Sequence, residues 1–132
     1  MTDRELMDKA FSMLERAYVP YSNYPVGAAI LCSDGSVFTG CNVENAAYGD
    51  CICAERTAAV KAVSEGHQDF VKIAICCGTP IFASPCGSCR QFLYEFNPDI
   101  DVLCARHDGE FISNKLHELL PRGFGPKDLE KN

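Results

Sequence analysis

Two short motifs constrain this chain more than any other feature: Cys53-Ala54-Glu55 and Pro85-Cys86-Gly87-Ser88-Cys89, with roughly thirty residues between them. That interval has the length of a helix-strand-loop excursion, and each motif opens a segment of helical patterning, so both sets of thiols belong at helix N-termini. A thiol there faces the positive end of the helix macrodipole and unpaired N–H groups, which favour the thiolate. Cys86 and Cys89, three residues apart, share one face of a helical turn and reach a single ion together. Cys53, from the other helix start, is the candidate for a third sulfur.

Three sulfurs leave the fourth position of a tetrahedral zinc open to water, the arrangement of a catalytic site rather than a structural one. Glu55 lies in the same first turn as Cys53, placed to exchange protons with that water rather than to bind the metal. Arg56 beside it is a candidate hydrogen-bond donor to the thiolates. Two other readings compete. A lone C-x-x-C pair serves redox chemistry, but that leaves Cys53 and Glu55 without a role. A structural zinc wants a fourth ligand from Cys51 or Cys104, of which the first precedes the helix and the second sits in a strand pattern. Cys32, Cys41, Cys76, Cys77 and Cys104 fall in apolar strand-like runs, where cysteine packs as a small hydrophobe. Cys51 is expected to be a free thiol.

The rest of the chain reads as a layered α/β domain. Thr2 and Glu5 form a capping box, and Leu6, Ala10, Phe11, Leu14, Ala17 and Tyr18 continue at helical spacing until Pro20. Tyr18–Gly27 reads as an ordered, non-helical loop because of its two prolines. Val26–Cys32 and Ser36–Cys41, joined through an Asp-Gly turn, form an antiparallel hairpin. Ile52–Glu65 reads as a helix ended by Gly66, and Phe70–Gly78 as a strand covered on both faces. Pro85–Phe96 reads as a helix, Ile100–Ala105 and Glu110–Ile112 as strands, Ser113–Leu120 as a last short helix, and Pro121–Asn132 as irregular. With no linker or repeat, 132 residues make one domain, 1–132.

Charge and cysteine usage exclude several partners. A formal net charge of −6 with no basic stripe disfavours nucleic acid and leaves a small molecule as the expected ligand. Apolar runs such as Val26–Cys32 are too short for a membrane span, and Met1–Glu5 lacks signal-peptide character. Nine cysteines, an odd number, point to free thiols in a reducing compartment, hence the cytoplasm.

Cys53-Ala54-Glu55 and Pro85-Cys86-Gly87-Ser88-Cys89 match the H-x-E…P-C-x-x-C signature of the zinc nucleobase deaminases, which admits three cysteine ligands. Together with YSNYPVGAA, GCNVENAAYG, CAERTA, SPCGSCRQ and LLPRGFGPKDL, they make the chain resemble the small cytidine deaminases of pyrimidine salvage from Tyr21 through Leu129. The resemblance implies a three-layer α/β/α sandwich with a five-stranded mixed sheet, one Zn2+ per subunit, and a homotetramer. It implies hydrolytic deamination of cytidine and deoxycytidine, with Cys53, Cys86 and Cys89 on the metal and Glu55 as proton shuttle. By the same resemblance Asn42 and Glu44 bind the ribose hydroxyls, the Ala54 backbone and Glu55 read the pyrimidine, and Arg56 supports the thiolates. Tyr24, at a position usually held by phenylalanine, lines the pocket, and Phe124 enters a neighbouring subunit's site. Asn42 and Glu44, two apart on an extended segment, are expected to point the same way. Glu44 would repel a phosphate, so nucleosides rather than nucleotides are expected. Asp50-Cys51 departs from the small or apolar residues usual before the helix. The alternative activity is deamination of a cytosine-containing antibiotic nucleoside; from another class, a non-enzymatic structural-zinc or thiol-redox protein would leave cytidine unchanged.

Overall fold

The computed structural model describes residues 1–129. A first helix, α1 (Asp3–Phe11), leads to the hairpin β1 (Val26–Cys32) and β2 (Val37–Cys41), then to α2 (Ala54–Ser64) and β3 (Phe70–Cys77). After α3 (Gly87–Tyr94) come β4 (Asp101–Ala105), β5 (Phe111–Lys115) and the single-turn α4 (Leu116–Leu119). The strands form one sheet in the order β2-β1-β3-β4-β5, antiparallel except for the parallel β3–β4 pair. This is the expected five-stranded mixed sheet, with β3 at its centre.

Alternation along the strands sorts the core into two layers. Ala29, Ala74, Cys76, Leu103 and Ala105 face Leu6, Met7 and Ala10 of α1. Ala28, Ile30, Ile73, Ile75, Cys77, Val102 and Cys104 face α2, α3 and α4 on the other side. Two glycines set how closely the layers approach. A Cβ on Gly27 would stand 2.1 Å from the Ala10 carbonyl oxygen, and one on Gly40 would stand 2.5 Å from both the Ala54 oxygen and the Ala58 nitrogen. The α2 face that meets Gly40 is alanine-lined, with Ala54, Ala58, Ala59 and Ala62 all fully buried. Small residues on both sides let the start of α2 lie close over the sheet.

Several expected boundaries shift. The first helix stops at Phe11 rather than near Pro20: Leu14–Arg16 tightens into a 3-10 turn, and Tyr18 instead joins an extended bridge to Val43. Its N–H donates to the Asn42 carbonyl at 3.0 Å, so pairing with a distant segment overrides helical spacing. The helix expected from Ile52 begins at Ala54, because Ile52 pairs with Val43 through two 2.9 Å backbone bonds. The helix expected from Pro85 likewise begins at Gly87 and ends at Tyr94. Ser113–Lys115 is strand rather than helix: Ser113 and Asn114 pair with Leu103 and Val102, and Lys115 closes the strand with a 2.7 Å ion pair to Asp101. Part of the irregular tail, Pro126–Leu129, is a 3-10 turn, and residues 130–132 lie outside the description.

Candidate active site

Cys53 is the N-cap of α2 and Cys86 the N-cap of α3, both with extended backbone and neither spending its side chain on a capping hydrogen bond. Their sulfurs are therefore available to a common guest. Cys89, one turn into α3 and fully buried, completes a group whose three sulfur atoms lie within 4.8 Å of one another. Two sulfurs bound at about 2.3 Å to a tetrahedral zinc stand about 3.8 Å apart. The Cys53 and Cys86 Sγ atoms are separated by 3.8 Å. The donor set and its spacing fit zinc.

The electrostatics suit a cation. With the Cys89 thiol beside it and the Arg56 guanidinium donating to its sulfur at 3.5 Å, Cys53 is brought down to about 5. The pairing with Cys53, together with burial, pushes Cys89 up. Arg56 Nε is buried with no hydrogen-bond partner among the described residues, while its Nη2 donates to the Cys53 sulfur. Burial sends Cys76 and Cys104 up to about 12, as expected of inert core thiols. Cys51 stands outside the sulfur group and takes the Asn45 N–H at 3.4 Å.

Glu55 occupies the second position of α2 and is 4% exposed, the only charged side chain in the buried interior among the described residues. Its removal from water pushes the carboxyl up to about 7, with the Cys53 sulfur adding to the rise. A carboxyl that gains and loses a proton near neutral pH suits a proton carrier. It opens onto a cleft lined by Tyr24, Val26, Asn42, Cys53, Ala54, Glu55, Ser84 and Cys86 among others, with about 450 Å³ of empty space.

The expected residues divide. Tyr24, Asn42 and Ala54 share the cleft with the sulfurs and Glu55. Asn42 spends both ends of its amide on the cleft wall, donating to the Tyr24 carbonyl and accepting from the Val26 N–H, each at 2.9 Å. Glu44, like Asn42, faces the loop over residues 21–26. Its carboxylate takes the N–H groups of Tyr21 at 3.0 Å and Ser22 at 3.1 Å together with the Ser22 hydroxyl, in a separate depression beside Tyr48 and Cys51. Phe124 lies outside the cleft of its own chain, 55% exposed, its carbonyl accepting from Gln91 Nε2 at 2.8 Å.

Two contributors carry no motif signal of their own. Ser84 lines the cleft, and Arg90 anchors the loop that bears it by donating to the Pro85 carbonyl at 2.8 Å, the Leu119 carbonyl at 2.8 Å and the Ser84 hydroxyl at 2.9 Å. Both lie within the SPCGSCRQ stretch that carries the resemblance, but spacing alone gives neither a role.

A ring of three thiols and a buried carboxyl at two helix starts, set over a mixed sheet, is the arrangement of zinc-dependent nucleobase deaminases. The family model of the cytidine and deoxycytidylate deaminase zinc-binding region matches residues 1–105, and the chain belongs to that family. It is 46% identical over 129 residues to the cytidine deaminase of Halalkalibacterium halodurans, covering 96% of this chain and 98% of that one. It is also 46% identical over 124 residues to a probable cytidine deaminase of Dictyostelium discoideum, covering 93% of this chain and 84% of that one. The crystal structure of cytidine deaminase from Burkholderia pseudomallei superposes with a TM-score of 0.91 at 43% identity, covering 94% of this chain and all of that one.

Proposed function

We propose that this chain is a zinc-dependent enzyme that hydrolytically deaminates cytidine and deoxycytidine to uridine and deoxyuridine, releasing ammonia, in pyrimidine salvage. The observation that carries the reading is the 3.8 Å spacing of Cys53 and Cys86 within the three-sulfur group, facing a buried Glu55 across one cleft. In this reading Cys53, Cys86 and Cys89 hold one Zn2+ per subunit, and residues 1–132 act as a single catalytic domain.

When bound, zinc lowers the pKa of water to about 7 and so supplies a nucleophile at neutral pH. Glu55 takes the proton released there and delivers it to ring N3, which makes C4 more electrophilic. As the water oxygen bonds to C4, Glu55 carries its second proton from the new C4 hydroxyl to the exocyclic amine; the C4–N bond breaks as C4=O forms, so that one water enters and one ammonia leaves. Arg56 keeps its donor on the Cys53 sulfur and offsets the negative charge of the ligand set. The Ala54 backbone reads the pyrimidine edge, and Tyr24 closes the cleft wall.

Asn42 and Glu44 are assigned to the ribose. Asn42 lines the cleft, and the Glu44 carboxylate has acceptor capacity beyond the three donors it already holds. Its charge favours nucleosides over nucleotides. The chain assembles as a homotetramer in which Phe124 reaches a neighbouring cleft; its 55% exposure and the apolar surface around Val43, Ile52, Val60 and Phe92 support this. The protein works in the cytoplasm, where nine free thiols persist. The described helices include none long and apolar enough to cross a membrane.

Zinc stoichiometry measured alongside loss of cytidine absorbance tests metal and reaction together. One zinc per chain with stoichiometric uridine formation is expected. Full turnover after chelation would overturn the metal assignment, and turnover confined to a cytosine-containing antibiotic nucleoside would overturn the substrate.

A further inference from the structure

Arg90 stands one residue after Cys89 on α3, half-buried, with its side chain turned back over the start of the helix. Long helical side chains lean toward the N-terminus, and this one uses the lean to reach the preceding loop. It holds three consecutive residues. Its backbone N–H donates to the Cys86 carbonyl at 3.0 Å, its Nε to the Pro85 carbonyl at 2.8 Å, and its Nη2 to the Ser84 hydroxyl at 2.9 Å. Among the described residues no other hydrogen bond reaches Ser84 or Pro85, and proline has no N–H of its own to offer. The next tie upstream is at Ala83, whose N–H donates to the Ala105 carbonyl of β4 at 2.9 Å. Arg90 therefore closes the gap between the sheet and α3.

A cation folded back over a helix N-terminus meets the positive end of the macrodipole, so charge at the helix start is not what this placement gains. What the guanidinium offers is a rigid fork, whose donors span a carbonyl and a hydroxyl in fixed directions. Its third arm, Nη1, donates at 2.8 Å to the carbonyl of Leu119, the last residue of α4. Cys86 depends on this arrangement. It is the exposed N-cap of α3 and its side chain makes no capping bond, so its sulfur goes where the backbone of Ser84, Pro85 and Cys86 carries it. Cys89, by contrast, is carried by the helix itself.

We propose that Arg90 is a positioning residue for the metal: by bracing Ser84, Pro85 and Cys86 against α3 and α4, it sets the Cys86 sulfur at the distance from Cys53 that zinc requires. It acts from outside the sulfur group and outside the cleft lining. Its role differs from that of Arg56, which donates to a sulfur directly. The brace rests on the zinc reading of the site.

The test is the zinc affinity of the full chain, measured by competition with a colorimetric chelator, for wild type, Arg90→Lys, Ser84→Ala and the pair. Arg90→Lys keeps the charge and loses the fork, and is expected to bind zinc about 10- to 100-fold more weakly. Ser84→Ala removes one arm and is expected to weaken binding about 2- to 12-fold, the worth of one hydrogen bond. In the Arg90→Lys background it should cost nothing further, because that arm is already gone. Two controls separate bracing from a general loss of stability. Gln91→Ala removes the donor to the Phe124 carbonyl from the same helix without touching the loop, and Gly27→Ala strains the opposite face of the sheet. Both are expected to keep wild-type zinc affinity. Wild-type affinity in Arg90→Lys, or in Ser84→Ala should Arg90→Lys fail to fold, would overturn the brace, as would a loss in Gln91→Ala equal to that in Arg90→Lys. A wild-type chain that takes up no zinc would overturn the metal reading itself, and the brace with it.

Discussion

At the scale of single residues, burial rather than identity sets what Glu55 does. The carboxyl sits two residues after Cys53 with 4% of its surface exposed and titrates near 7 instead of its ordinary 4.5. Replacing it with glutamine keeps its shape and removes its proton traffic. Glu55→Gln should therefore retain one zinc per chain while kcat for cytidine falls by roughly 10²–10⁴-fold, read from ultraviolet turnover beside metal analysis. The same shift has a thermodynamic consequence in chelator-treated protein. Because the folded chain holds this proton more tightly than the unfolded one, the contribution to stability is complete below about pH 4.5 and is lost as pH rises through about 7. Denaturant unfolding at pH 5 and pH 8 should show Glu55→Gln gaining on wild type by up to about 3 kcal/mol at the higher pH. Arg56→Gln should weaken zinc retention about 10- to 100-fold in a chelator competition, since the donor to the Cys53 sulfur is lost.

At the scale of elements, the site depends on how closely α2 lies over the sheet. Gly40 leaves no room for a methyl group under the first turn of α2, whereas Gly27 does the same under α1 on the opposite face. Gly40→Ala and Gly27→Ala should both lose stability, roughly 1–3 kcal/mol for an overpacked contact. Only Gly40→Ala should also weaken zinc binding, because only α2 carries Cys53. Equal zinc affinity in the two variants, measured by competition with a colorimetric chelator, would disprove this link between packing and metal. The element order and the central placement of β3 were legible from apolar runs and turn residues. Periodicity starts both central helices about two residues early, because Cys53 and Cys86 are caps with extended backbone and Ile52 is claimed by a bridge to Val43. The strand at Ser113–Lys115 is hidden for a similar reason: its partner lies on β4, not in its own neighbourhood.

At the scale of the whole molecule, Phe124 is 55% exposed and outside the cleft lining of its own chain, so its contribution to a site needs a second copy of the chain. Sedimentation should find a tetramer. Phe124→Ala should raise KM for cytidine several-fold with the tetramer intact, the loss of a buried aromatic contact being worth about 1 kcal/mol or more. An unchanged KM would remove Phe124 from the neighbouring site.

Spacing and residue chemistry by themselves determined the candidate metal ligands, the candidate proton carrier, the layered α/β class and the acidic, small-molecule character of the protein. These are properties of short motifs and local periodicity, in which the relevant neighbours are close in the chain. Tertiary structure alone decided where Glu44 spends its carboxylate and how Arg90 holds the Ser84 loop. Each of those depends on which hydrogen-bond donors and acceptors long-range pairing brings within about 3 Å, and sequence separation carries no record of that distance.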